Sequence, residues 1–267
     1  MLVHGTVSDE VDLALCRSAL YEALALGFRP PTEETAARLA SAEGAAALAD
    51  AAAVLDEAWG TDMASLIRRA AAPPRRPTVE ELSIDYRRLF GHTVRGPVPP
   101  YETEYGDDSV FLPIQEMSDL GAFFRAFGLA LRPEGRERID HISCECEFLM
   151  FLARKEAYAL ERALKAVGDD ARQATRLFLK DHLGRFASAF GTKLAREDPG
   201  GFYGALGDLC AAFVTHECAR VGVPAGPEFL RLRSAAEPNV PMACGTGADE
   251  PGLLQIQGLS PRMTNDQ

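Results

Sequence analysis

The sequence predicts an all-α protein, a single globular helical bundle of the kind that buries one core, followed by an extended C-terminal tail. Three observations carry that expectation. Apolar residues recur at helical spacing through most of the 267 residues, capping signatures and proline or glycine stops punctuate those stretches, and no segment alternates as a half-buried strand does. The helical domain is expected over residues 1–235 and the tail, rich in proline and glycine and weak in periodicity, over 236–267.

Taken in order, Ser8 or Asp9 can cap a first helix whose stripe is Leu13, Cys16, Leu20, Ala23 and Leu24, and Pro30-Pro31 stops it. Thr32 starts a short second helix. An alanine-rich stretch from Ala45 runs on to Trp59, Gly60-Thr61 breaks it, and Met63 to Ala72 follows; alanine favours helix and permits close packing. After the rigid spacer Pro73-Pro74-Arg75-Arg76-Pro77, Thr78-Val79-Glu80-Glu81 has the form of a capping box, opening a helix from Val79 to Phe90 with Leu82, Tyr86, Leu89 and Phe90 on one stripe. Residues 91–113 show neither period and form a long loop. Loops of that length in compact domains are usually functional or disordered, and Tyr101, Tyr105, Val110 and Phe111 argue for one packed onto the body. Ile114 to Phe127 returns to helix and Gly128 to Pro133 reads as a turn. The longest pattern is expected to start near Glu137 and reach Gly168, Asp169-Asp170 to cap a helix over Ala171–Arg196, and Phe202 to Arg220 to form the last one.

Composition narrows the function. A net charge of -11 repels phosphate backbones and anionic lipid but steers a basic segment inward, so nucleic acid is a poor partner and an arginine-bearing peptide a good one. No run of roughly 18 apolar residues is present to span a bilayer, and the N-terminus has no basic segment leading into an apolar one, so a cytoplasmic address is expected. Six cysteines without a CxxC pair suit reduced thiols; Cys144 and Cys146, two apart on a helix, point away from each other and suit packing. The five histidines form no helical zinc motif, and His216-Glu217-Cys218 fans around its helix. Phosphate-binding and nucleophile-elbow signatures are missing, and no evident nucleophile stands ready for an Asp140-oriented His141 to activate. Neither an enzyme nor a metal or cofactor site is expected.

What remains is a groove. For Tyr86, Leu89, Phe90 and Tyr101, core packing and groove lining are equally compatible with the pattern, and prolines 97, 99 and 100 supply a preformed second wall. Glu137 and Asp140, spaced i, i+3, would share one face of a helix start. There they either stabilise the helix dipole or accept guanidinium groups.

At these residues the chain resembles the TorD/DmsD/NarJ family of redox-enzyme maturation chaperones. The motifs are Tyr86-Arg87-Arg88-Leu89-Phe90-Gly91, then Pro99-Pro100-Tyr101-Glu102-Thr103-Glu104-Tyr105, then Glu137-Arg138-Ile139-Asp140-His141. The resemblance implies an all-helical chaperone that binds the signal peptide, often twin-arginine, and the apo catalytic subunit of a molybdenum-cofactor oxidoreductase before export. By motif match Tyr86, Leu89, Phe90, Pro100, Tyr101, Glu102, Tyr105, Glu137, Asp140 and His141 would line the peptide site. The tail and the Glu-Thr-Glu-Tyr variant lean toward chaperones of the type II dimethyl-sulfoxide-reductase group, whereas Tyr101 departs from the tryptophan of many members. An assembly subunit retained with its oxidoreductase and a small-molecule-binding helical protein are the alternatives.

Overall fold

A computed structural model of the chain describes residues 7–70, 77–91, 95–107, 112–132, 137–234 and 256–258. Ten α-helices make up most of them: α1 (Val7–Gly27), α2 (Glu33–Thr35), α3 (Ala42–Trp59), α4 (Met63–Ala70), α5 (Val79–Phe90), α6 (Leu112–Ala126), α7 (Ile142–Glu161), α8 (Lys165–Asp181), α9 (Leu183–Glu197) and α10 (Phe202–Arg220). The all-α expectation therefore holds.

The caps read from the sequence are in place. Thr32 and Thr78 each close a capping box, and Gly60 takes the left-handed conformation (φ 70°) that ends α3. Pro73–Arg76 of the expected spacer, Val110 and Phe111 of the loop, and most of the tail lie outside the described residues.

α7 sits at the centre. Its first nine residues, Ile142 through Met150, are all buried, which requires neighbours on every side: α1 along its length, α8 beside it, and the aromatic group of α6 at its start. α3 and α4 extend the α1 side, α10 packs on α9 and α4, and α8 on α9. The core is aromatic where these helices meet, with Phe148 4.8 Å from Phe178 and Phe28 edge-on to Phe190 at 5.0 Å. Cys144, Cys146, Cys210 and Cys218 are buried free thiols in it. Glu217 lies in a buried ion network. Burial draws its carboxyl up, but Arg220 at 2.6 Å and Arg17 at 3.8 Å outweigh that and hold it below its ordinary value. His216 stacks on Trp59, so the His216-Glu217-Cys218 triplet does fan apart.

Three boundaries differ from the sequence expectation. α7 begins at Ile142 rather than at Glu137, because residues 137–140 give their hydrogen bonds to the 99–105 loop and the His141 side chain caps the helix through Nδ1, 3.1 Å from the Ser143 amide. Glu137 and Asp140 thus do not share a helix face. The chain turns at Ala163 (φ 54°), so Gly168, Asp169 and Asp170 lie inside α8 rather than ahead of it. That helix and α9 are separate, broken at His182, whose ring is held by Glu102.

Residues expected only to turn also contain a strand. β1 (Leu129–Leu131) pairs antiparallel with β2 (Ile256–Gly258) from the tail, Leu129 opposite Gly258 and Leu131 opposite Ile256.

Candidate functional site

Pro99-Pro100-Tyr101 runs extended because proline fixes φ and restricts the residue before it. It lies alongside residues 140–142 as a short strand would. Ile142 N–H donates to the Pro100 carbonyl (2.8 Å), Glu102 N–H to the Asp140 carbonyl (2.9 Å), and Tyr101 bridges His141. The second and third motifs, far apart in sequence, are one wall.

Tyr101 is the half-buried centre of that wall. Its hydroxyl donates to Glu137 Oε1 at 3.2 Å, the Arg138 guanidinium lies 4.3 Å from its ring centroid, and the His141 ring meets it edge-on at 5.3 Å. Burial, then the Glu137 charge, pushes the phenol well above its ordinary pKa, so it is a donor at any physiological pH.

Asp140 is fully buried and its oxygens are committed: Arg138 Nε donates at 3.0 Å and Nη2 at 2.7 Å, and Thr103 Oγ1 at 2.6 Å. The expectation of an open acceptor for a client arginine does not fit this geometry. A carboxylate removed from water needs a partner, and the chain supplies Arg138. Glu137, half-buried, is the more exposed carboxylate of the pair, its Oε1 accepting from the Tyr101 hydroxyl and the Arg138 amide. His141 is buried and burial lowers its pKa; with Nδ1 accepting from the Ser143 amide, the proton of the neutral ring sits on Nε2, which has no hydrogen-bond partner among the described residues.

Behind this wall the loop is bolted to the bundle. Glu102, buried, holds His182 Nδ1 at 3.0 Å, with Arg185 3.5 Å from its other oxygen. Tyr105 donates to the Pro99 carbonyl at 2.9 Å and packs on Phe186 and Phe190. Arg233 clamps the loop from the far end of the chain through Glu116 (2.9 Å) and the Thr103 carbonyl (2.8 Å). Glu145 is buried among these groups with neither oxygen hydrogen-bonded among the described residues, and burial, then the Glu102 and Asp140 charges, pushes its carboxyl well up.

The first motif plays a different part. Leu89 and Phe90 are 0% and 5% exposed, Phe90 against Phe190 and Tyr203, and Tyr86 is half-buried with its hydroxyl on the Phe28 carbonyl at 3.4 Å. Leu89 and Phe90 are therefore core residues rather than groove lining. They meet the loop through the backbone, since the Leu89 carbonyl accepts from the Val98 amide at 2.9 Å, and through Phe190, which touches both Phe90 and Tyr105. Arg138 and Thr103 stand inside the motifs, yet only the folded chain shows that they serve Asp140. His182, Glu116 and Arg233 carry no local signal, because their partners are distant in sequence. Among the described residues no group of three or more His, Cys, Asp or Glu side chains is arranged to hold a metal.

Residues 41–191, more than half of the chain, match the family model described as the nitrate reductase delta subunit. The chain belongs to that family. Within this nitrate reductase delta subunit family, which takes in the TorD and NarJ chaperones of the motif resemblance, three relatives show the range. The chaperone protein TorD of Photobacterium profundum is 29% identical over 139 residues, 52% of this chain and 63% of that protein. TorD of Vibrio cholerae serotype O1 (strain ATCC 39315 / El Tor Inaba N16961) is 29% identical over 51% of this chain and 60% of its own length. A perchlorate reductase assembly chaperone protein of Dechloromonas aromatica (strain RCB) is 26% identical over 215 residues, 78% of this chain and 91% of that protein. The chain thus spans about three-fifths of the TorD relatives and nearly all of the perchlorate reductase chaperone.

Proposed function

We propose that this protein is a cytoplasmic, client-specific chaperone that binds the signal peptide and apo form of a molybdenum-cofactor oxidoreductase and assists cofactor insertion before export. One observation carries the reading: the loop and the α7 start, two of the three motifs, join around Tyr101 into a single preorganised wall that combines the half-buried Tyr101 ring with the half-buried carboxylate of Glu137, backed by the buried His141. Such a wall suits an extended basic and apolar segment, because it is ordered before the ligand arrives and the ordering cost is already met by the fold. Relatives named for TorD and for perchlorate reductase assembly support the client class, and the latter, matched over nearly its whole length, is compatible with the lean of the tail and loop variant toward the type II dimethyl-sulfoxide-reductase group.

The test is genetic and chemical together. In a strain lacking this chain, the molybdenum oxidoreductase it serves is expected to accumulate without its cofactor, and supplying the chain in trans restores the content. Full cofactor content in the deletion strain contradicts the reading.

A further inference from the structure

We propose that β1 is a strand-addition site for the apolar stretch of the client's signal peptide, kept closed in the free protein by the chain's own tail strand, β2. The inference rests on the chaperone reading above and adds to it a second subsite and a resident competitor.

The two strands differ in how they are held. β1 is fixed to the body: Leu129 belongs to the core, Leu131 packs against it, and α6 lies alongside. β2 reaches it from the end of the chain and otherwise lies against α7. A ladder of three residue pairs between two strands is marginal on its own, so the arriving strand is exchangeable while the receiving one stays. Strand addition needs only backbone partners plus an apolar surface for alternate side chains, which makes it tolerant of sequence.

Chemistry and direction both match a signal peptide. From Gly252 to Ser260 the tail holds no charged residue and carries Leu253, Leu254, Ile256 and Leu259, the composition of an apolar signal segment. The chain leads from β1 to the Tyr101 wall: five residues separate Leu131 from Glu137, which therefore lies at most about 22 Å away. The added strand is antiparallel, with Ile256 opposite Leu131, the β1 residue nearer Glu137 in sequence, and Gly258 opposite Leu129. A peptide replacing β2 in this direction therefore has its N-terminal side toward Glu137 and its later residues along β1. Signal peptides carry their basic residues before the apolar run. The arginines then fall near the Glu137 carboxylate and the apolar run on the strand edge.

The experiment locks the tail reversibly in the full chain. Ala130 and Gln257 are directly opposed, within the reach of a disulfide. In the double variant Ala130→Cys/Gln257→Cys, titrated with a synthetic peptide bearing two adjacent arginines followed by an apolar run, the oxidised form is expected to bind at least about tenfold more weakly than the reduced form, with recovery on reduction. Hydrogen exchange on wild type should show amides 256–258 losing protection on peptide addition while 129–131 keep theirs. Equal affinity of the oxidised and reduced forms, or continued protection of 256–258 in the complex, overturns the strand exchange and leaves the chaperone reading standing. Failure of the disulfide to close removes the pairing itself. If the peptide binds neither the reduced variant nor wild type, the signal-peptide reading falls, and the tail's role as competitor with it.

Discussion

Asp140 illustrates how a motif carboxylate divides its duties. Its oxygens are taken by Arg138 and Thr103, so Asp140→Asn weakens a partly buried charged hydrogen-bond pair, a loss of about 1.5–3 kcal/mol. Thermal unfolding should therefore register Asp140→Asn strongly and Glu137→Gln hardly at all, and similar melting of the two would argue against the buried pair. Glu145 behaves in the opposite sense. Its folded pKa lies well above the ordinary 4.5, so above that pH the folded chain holds a proton that the unfolded chain has released, and stability falls as pH rises. Glu145→Gln should raise the melting temperature relative to wild type, by more at about pH 8 than at about pH 5; a variant less stable than wild type at the higher pH would indicate that the charged form has a partner. Phe90→Ala, in the aromatic core beside Phe190 and Tyr203, is expected to cost about 3–5 kcal/mol of stability, read as a lower unfolding midpoint in urea.

At the scale of elements, α5 and α7 show what local sequence can and cannot specify. The Thr78–Glu81 capping box fixes the start of α5 from four residues, with the Thr78 amide 2.8 Å from Glu81 Oε2, and Thr78→Ala should cost about 1 kcal/mol, measured by chemical denaturation. The start of α7 is not legible in that way. Glu137 to Asp140 has every local mark of a first helical turn, but its backbone and side chains are claimed by the Pro99–Thr103 loop, whose approach no period records. The break at His182 is hidden for the same reason, since it depends on Glu102, 80 positions away. Helix periods and caps are written locally; the site is written in pairings between the loop, α7, α9 and the segment ending at Arg233. Motif resemblance locates the loop and the α7 start because it carries those long-range pairings implicitly. It does not distinguish the more exposed residues, Tyr101 and Glu137, from those that hold the wall up, Leu89, Phe90, Glu102 and Asp140.

For the whole molecule, the net charge of -11 and the half-buried Glu137 carboxylate at the wall suggest different work for field and contact on the proposed reading. The field speeds the approach of a basic segment and is screened beyond about 8 Å at physiological ionic strength, so raising salt should slow association more than it hastens release. On the proposed reading the contact falls to Tyr101, whose half-buried ring is anchored between Arg138 and His141. The measurement that tests this most directly is calorimetric titration of the folded full chain with a synthetic peptide bearing two adjacent arginines followed by an apolar run, comparing wild type, Tyr101→Ala and Glu137→Gln. Tyr101→Ala is expected to lose about 2 kcal/mol or more, roughly thirty-fold in affinity, and Glu137→Gln a smaller, salt-sensitive amount. Affinities indistinguishable from wild type in both folded variants would contradict a peptide site at this wall.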